Sequence, residues 1–172
     1  MEIKIRNEKP SDRSAVFDVN CNAFEQHDEA ELVDALRKSR SFIPELSLVA
    51  ELNGKVIGHI LFTEINIRNK DRTFPSLSLA PMAVANEYQN RKIGSRLVKI
   101  GLQKAEALGY KSVIVLGHPG YYPRFGFKPA SHWGIKTTCE VPDNVFMALE
   151  LVRNGLSGIH GIVEYPEEFN SV

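Results

Sequence analysis

One stretch limits the possible folds more than any other. An apolar, strand-like segment, Leu77 to Val84, passes through a short basic turn, Tyr88-Gln-Asn-Arg-Lys-Ile-Gly-Ser-Arg-Leu97, into a strongly patterned helix. Gly94, Leu97, Val98, Gly101, Ala105 and Leu108 recur at helical spacing on one face, and Lys99, Gln103, Lys104 and Glu106 lie away from it. Gly101 and Ala105 would let that helix sit close against a sheet, and Gly109 is a natural residue to end it. A strand, a tight turn and a helix N-terminus also make an anion-binding device. The first turn of a helix leaves N–H groups unpaired, and the macrodipole adds roughly half a positive charge there. A pyrophosphate fits such a place. Gly94 permits close backbone approach, while Arg91, Lys92 and Arg96 raise the local potential.

The rest of the chain alternates between both periodicities. Ile3 and Ile5 alternate with Lys4 and Arg6 as a first strand. Pro10-Ser11-Asp12 then offers turn and N-cap chemistry for a helix with Val16, Val19 and Ala23 on one face. Asp28 with Glu31 reads as a capping box for a second helix that turns Leu32, Ala35 and Leu36 inward. Leu46 to Glu51 and Lys55 to Ile67 read as strands joined at Asn53-Gly54, the strongest short hairpin signal. The polar run Asn69 to Pro75 reads as a loop before the fourth strand. Ser112 to Leu116 is a fifth strand, followed by a short helix near Gly120 to Arg124 and late strands at Val145 to Val152 and Ile159 to Tyr165. The order β-α-α-β-β-β-α-β-α-β-β predicts an α+β fold on a mixed sheet.

Composition narrows the function classes. A chain of 172 residues, 43% hydrophobic, suits one domain over 1–172, with a core of about 3–152 and a C-terminal strand region of 153–172. Formal net charge is zero, so neither a nucleic-acid surface nor an anionic-membrane surface is expected. Cys21 and Cys139 have no metal-ligand spacing, no metal is expected, and both read as reduced thiols. With no apolar N-terminal region and no long apolar run, the expected location is cytoplasmic and the expected assembly a monomer or homodimer.

Two motifs carry a resemblance. Gln89-Asn90-Arg91-Lys92-Ile93-Gly94 resembles the pyrophosphate motif Gln/Arg-x-x-Gly-x-Gly/Ala of the GNAT superfamily of acetyl-CoA-dependent N-acetyltransferases, with Lys92 in place of the first glycine. Positive φ at that position would cost a lysine roughly 1–2 kcal/mol. Tyr122-Pro-Arg-Phe-Gly126-Phe127 is similar to the family's Tyr-x-x-x-Gly-Phe, and Leu116 to Phe127 resembles Leu-Gly-x-Pro-x-Tyr-Tyr-x-Arg-Phe-Gly-Phe of a compact bacterial branch. The asparagine that many members carry near the start of this segment is absent; His118 and Pro119 stand there instead.

The resemblance implies a three-layer GNAT fold. Its central sheet would be mixed and largely antiparallel, of about seven strands splayed between the fourth and fifth, with about four helices. It implies acetyl-CoA as acyl donor, bound through Gln89, Asn90, Arg91, Lys92, Ile93, Gly94 and Ser95, with Met82, Ala83 and Val84 pairing with the pantetheine arm. It implies Tyr122 as the general acid that protonates the leaving thiolate, and a small-molecule or peptide amine that attacks directly in a ternary complex. No acid stands in the fourth strand to serve as general base. Glu25, Glu64, His59 and His118 remain the ionisable candidates, and the base is unassigned. Glu25, His27 and Asp28 in the first inter-helix loop would suit a cationic amine. An acyl-CoA sensor or inactive binding module is the alternative reading. A nucleotide-dependent transferase is disfavoured, because neither Gly-x-x-x-x-Gly-Lys-Ser/Thr nor an early Gly-x-Gly-x-x-Gly occurs.

Overall fold

Strand-forming apolar runs build one nine-stranded sheet in the computed structural model, which describes residues 2–171. Its strands and helices run β1 (Ile3–Asn7), α1 (Arg13–Phe24), α2 (Asp28–Arg37), β2 (Phe42–Leu52), β3 (Lys55–Asn69), β4 (Arg72–Val84), α3 (Ile93–Ala107), β5 (Ser112–Leu116), β6 (Lys128–Pro129), β7 (Ile135–Lys136), β8 (Phe146–Glu150) and β9 (Gly161–Glu164). The sheet order is β1-β2-β3-β4-β5-β8-β6, and β9 pairs with both β3 and β7. This is the mixed, mostly antiparallel and splayed sheet expected, with two two-residue strands, β6 and β7, added. Three α-helices form among the described residues. The fourth helical segment is a 3-10 turn, Tyr122–Phe125, held short by Pro123 and Gly126.

Local chemistry explains most element ends. Asn53 and Gly54 both have positive φ, as the two-residue turn between β2 and β3 requires. The polar stretch after β3 is a second hairpin rather than a loop. Asn69 pairs with Arg72, and Lys70 takes the left-handed conformation. The expected capping box of α2 does not form. Asp28 is already helical, and the Glu31 N–H bonds the His27 carbonyl instead. Leu108, expected on the inward face of α3, is its exposed C-cap.

The two sheet faces are built differently. Helix α3 lies close on one face: a Cβ at Gly101 would stand 2.3 Å from the Phe62 ring. Leu97, Val98 and Ala105 join the largest apolar cluster there. Helices α1 and α2 cover the other face through Val16, Val19, Leu32, Val33 and Leu36. They are also tied down by buried polar groups. Arg37 pairs with Glu8, and Glu8 accepts the Ser47 hydroxyl at 3.1 Å. Ser47 lies 3.0 Å from His59 Nε2, and His59 Nδ1 accepts from the Asn20 amide at 3.5 Å. Asn20 and His59 are fully buried, and desolvation holds the imidazole down at about 4.

Candidate active site

A cavity of about 1410 Å³ opens where β4 and β5 splay apart in the middle of the sheet. Strands β4 and β5 pair in parallel only at Leu77–Val113 and Ser78–Ile114. Beyond that point Ala80 and Pro81 form a bulge on β4, opposite the register step between Ile60–Met82 and Phe62–Leu79. A cis peptide joins Ala80 to Pro81. Proline has no N–H to give a ladder, so it suits this interruption. Past the bulge Met82, Ala83 and Val84 pair with β3 on one side and border the cavity on the other. The Ala85 N–H bonds back to Ile57, so strand alternation turns the backbone groups of Met82 and Val84 toward the open edge.

From Val84 the chain enters a braced turn. The Gln89 side chain is spent within it: its amide donates to the Val84 carbonyl and to Asn86 Oδ1, both at 3.0 Å. Asn86 is tied in turn to Asn22 at the end of α1. Asn90 and Lys92 both have φ of +64°. The Lys92 carbonyl receives the first helical N–H, that of Arg96. No side chain caps α3. Backbone N–H groups of residues 90–95 therefore have no hydrogen-bond partner among the described residues. Six adjacent free donors at a helix start form a site for a polyanion.

The side chains of this run divide. Asn90, Lys92 and Ser95 border the cavity. Ile93 is buried in the core, so only its backbone can face a ligand. Arg91 does not border the cavity; its guanidinium lies over the Tyr88 ring at 5.6 Å. Gly94 is confined, since an added Cβ would stand 3.1 Å from the Tyr121 hydroxyl and 3.3 Å from Met82.

Across the cavity, Tyr121 and Tyr122 pack edge to face at 5.1 Å. Tyr121 places its hydroxyl 3.3 Å from Ser95 Oγ, and Arg124 lies over its ring at 4.5 Å. The Tyr122 ring sits against Gly117, where a Cβ would come within 2.4 Å of it, and against Phe127. Its hydroxyl has no hydrogen-bond partner among the described residues. Burial pushes the phenol well above the usual tyrosine range, so it keeps its proton at any physiological pH.

Of the four candidate bases, only His118 borders the cavity, and its Nδ1 accepts the Gly120 N–H at 3.0 Å. His59 is buried between β3 and α1, Glu64 receives the Tyr110 hydroxyl at 3.0 Å, and Glu25 is exposed at the end of α1. The carboxylates that do border the cavity are Glu29 of α2 and Glu164 of β9, which sequence reasoning missed. Their only signal was position on elements whose facing requires the tertiary fold.

Comparison with known proteins agrees with this geometry. Residues 4–130 match the family model described as "Acetyltransferase (GNAT) domain". The chain is 34% identical over 167 residues to the uncharacterized N-acetyltransferase YhbS of Escherichia coli K12, covering 96% of this chain and 98% of that protein. It is 41% identical over 121 residues to the uncharacterized N-acetyltransferase YjhQ of the same organism, covering 70% and 67%. Among solved structures, E. coli YhbS in complex with CoA superposes with a TM-score of 0.92 at 32% identity, covering 99% of this chain and 93% of that one. A Brucella melitensis GNAT acetyltransferase in complex with acetyl-CoA superposes at 0.80 with 31% identity, covering 98% of each.

Proposed function

The chain belongs to the GNAT acetyltransferase family, and from that membership we propose that it moves the acetyl group of acetyl-CoA to a primary amine by direct attack, both substrates being bound together. The observation that carries this reading is a coincidence of three features on one cavity. Unpaired N–H groups at Asn90 and at Lys92 to Ser95, the stretch of β4 beyond its pairing with β5, and an unpartnered buried phenol all border it. Each matches one part of a thioester substrate: the pyrophosphate, the amide-bearing arm and the departing sulfur.

The donor would lie with its pyrophosphate against the N–H groups of residues 90–95, assisted by Lys92 and the α3 dipole. The backbone of Met82 and Val84 would pair with the pantetheine amides, as a further strand would. Ala83 faces β3, so its part is to fill the wall. Arg91 would contribute long-range potential rather than a contact.

Transfer joins the amine nitrogen to the acetyl carbonyl carbon and breaks the C–S bond. The nitrogen gives up a proton and the sulfur receives one, leaving an amide and free CoA thiol. Tyr122 would supply the sulfur's proton. Burial keeps the phenol protonated until a thiolate appears; because a phenol near 10 is a weaker acid than a thiol near 8.5, the transfer runs uphill and is completed when the phenolate is reprotonated by the proton the amine releases. The amine proton would leave through water in the cavity, and no side chain is assigned as its acceptor.

Titration calorimetry with acetyl-CoA, followed by a free-thiol assay over an amine panel, tests the proposal. Micromolar binding with thiol release only in the presence of an amine is the expected result. Binding of acetyl-CoA without release by any amine would favour the sensor reading.

A further inference from the structure

Glu29 and the apolar side chains around it say what kind of amine the acceptor half of the cavity would take, granted the acetyl-transfer reading above. Five large hydrophobic residues are exposed in the described chain: Phe24, Leu108, Leu116, Val152 and Ile162. Three of them, Phe24, Leu116 and Ile162, border this one cavity. Leu116 ends β5 beside the splay, on the donor's side. Phe24 closes α1 and Ile162 lies in β9, both on the acceptor's side. Tyr165 and Phe169 extend that wall as a packed pair 5.2 Å apart. Phe169 also packs against the α1–α2 cluster, which joins the C-terminal segment to the two helices. Exposed apolar groups gathered on one wall lose water when a ligand of like character covers them.

Charge on the same wall is uneven. Glu164 is spent on Arg68 at 2.9 Å. Glu29 has no cationic partner among the described residues, and its oxygens receive only the neutral Gln26 amide, at 2.5 and 3.0 Å. It is half-buried beside Leu32, which is buried. A half-buried carboxylate without a counter-charge, next to unfilled apolar surface, is completed by a cation attached to an apolar body. Lys70, also in the lining, is exposed at the β3–β4 turn.

We infer that the acceptor is a monoamine carried on an aryl or branched-alkyl body without a carboxylate, and that Glu29 receives its ammonium group before the proton is lost. A carboxylate beside the amine would be repelled by Glu29, and a second ammonium would be driven against Phe24 and Ile162 without a partner.

The test compares 2-phenylethylamine and 3-methylbutylamine with phenylalanine, spermidine and a short peptide with a free N-terminus, each with saturating acetyl-CoA. The two apolar amines should show kcat/KM at least about tenfold above the other three, a gap of about 1.4 kcal/mol. Glu29→Gln should raise their KM about tenfold with kcat nearly unchanged, which marks lost ground-state binding. Phe24→Ser should raise KM for the apolar amines and leave that for spermidine alone. Acetyl-CoA affinity should stay at the wild-type value in both variants, which also shows that they fold. Equal or faster turnover of phenylalanine, spermidine or the peptide overturns the inference, as does an unchanged KM in Glu29→Gln. Tight acetyl-CoA binding without turnover of either apolar amine overturns it too, while leaving the donor site standing. Failure of the wild type to bind acetyl-CoA sinks the acetyl-transfer reading instead, and the inference with it.

Discussion

The two halves of the cavity, donor and acceptor on the proposed reading, are assembled in opposite ways. Donor groups come mainly from one continuous run, Met82 to Ser95, plus the short segment around Tyr121 and Tyr122. They present mostly backbone, held by Gln89 and Asn86 within the turn itself. The acceptor wall draws single side chains from α1, α2, the β3–β4 hairpin, residues 137–139 and residues 162–170. On the proposed reading, backbone donors would recognise what every acyl-CoA shares. Scattered side chains can differ without disturbing the donor site. The supports differ as well: α3 is held by apolar packing, whereas α1 and α2 are also tied to β2 and β3 through the Asn20–His59–Ser47–Glu8–Arg37 chain.

That difference in support predicts the largest effect. His59 is held near 4 in the folded state against about 6.5 when unfolded, so between those values the unfolded chain binds more protons. Stability should be fully present above pH 6.5 and fall with pH toward 4, by up to about 3 kcal/mol. The facing charges, Glu8 and Arg37, push the imidazole in opposite directions and leave desolvation dominant. Hydrogen exchange along that titration should loosen α1 and α2 before α3. Simultaneous loosening of all three helices would erase the contrast in support. Next in size, Tyr122→Phe keeps the ring packing and removes the proton. It should lower kcat about a hundredfold while acetyl-CoA affinity stays within a few-fold of wild type. Unchanged turnover would reduce Tyr122 to a packing aromatic and pass the acid role to Tyr121 or His118. Gly94→Val comes third: the new side chain meets Tyr121 and Met82, and acetyl-CoA affinity by calorimetry should drop at least about tenfold, or 1.4 kcal/mol. An undiminished affinity would remove the helix start as the anion site. The smallest effect is at Lys92, whose φ of +64° favours glycine. Lys92→Gly should stabilise the ligand-free protein by about 0.5–1 kcal/mol in thermal melts, whereas Lys92→Ala should not. Equal melting temperatures for both variants would mean that this backbone carries no strain.

Legibility in the sequence followed the same divide. The donor turn and α3 were readable because their signals are local: helical spacing from Gly94 to Ala105, a basic run, and a terminating Gly109. Asn53-Gly54 likewise announced its hairpin. The side-chain roles inside the turn were not readable. Gln89 braces the loop and Arg91 stacks on Tyr88, and both outcomes depend on the path of neighbouring residues. The turn at Lys70 and Asp71 looked like a loop because two charged residues carry no glycine signal, yet the long β3–β4 ladder imposes it. Glu29 and Ile162 were invisible for a stronger reason. An acid in the first turn of a helix and an isoleucine in a short strand are ordinary locally, and only the packing of β9 and α2 around the splay brings them to one wall. The buried His59 was likewise hidden, since its hydrogen-bond partners Ser47 and Asn20 lie 12 and 39 residues away in the chain.

The reach of β3 has a consequence for how such a catalyst could diversify. Fifteen residues long, it pairs with β2 along its first half and receives β9 at Asn66, Ile67 and Arg68 on its second. The segment that walls the acceptor side is thus docked, late in the chain, on an extension of a strand whose other end is already secured. A lineage or an engineer could exchange residues 153–171 for a tail of another shape and leave the thioester machinery in register. In such a protein new substrates would be recruited by tailoring a docked segment rather than rebuilding a catalyst.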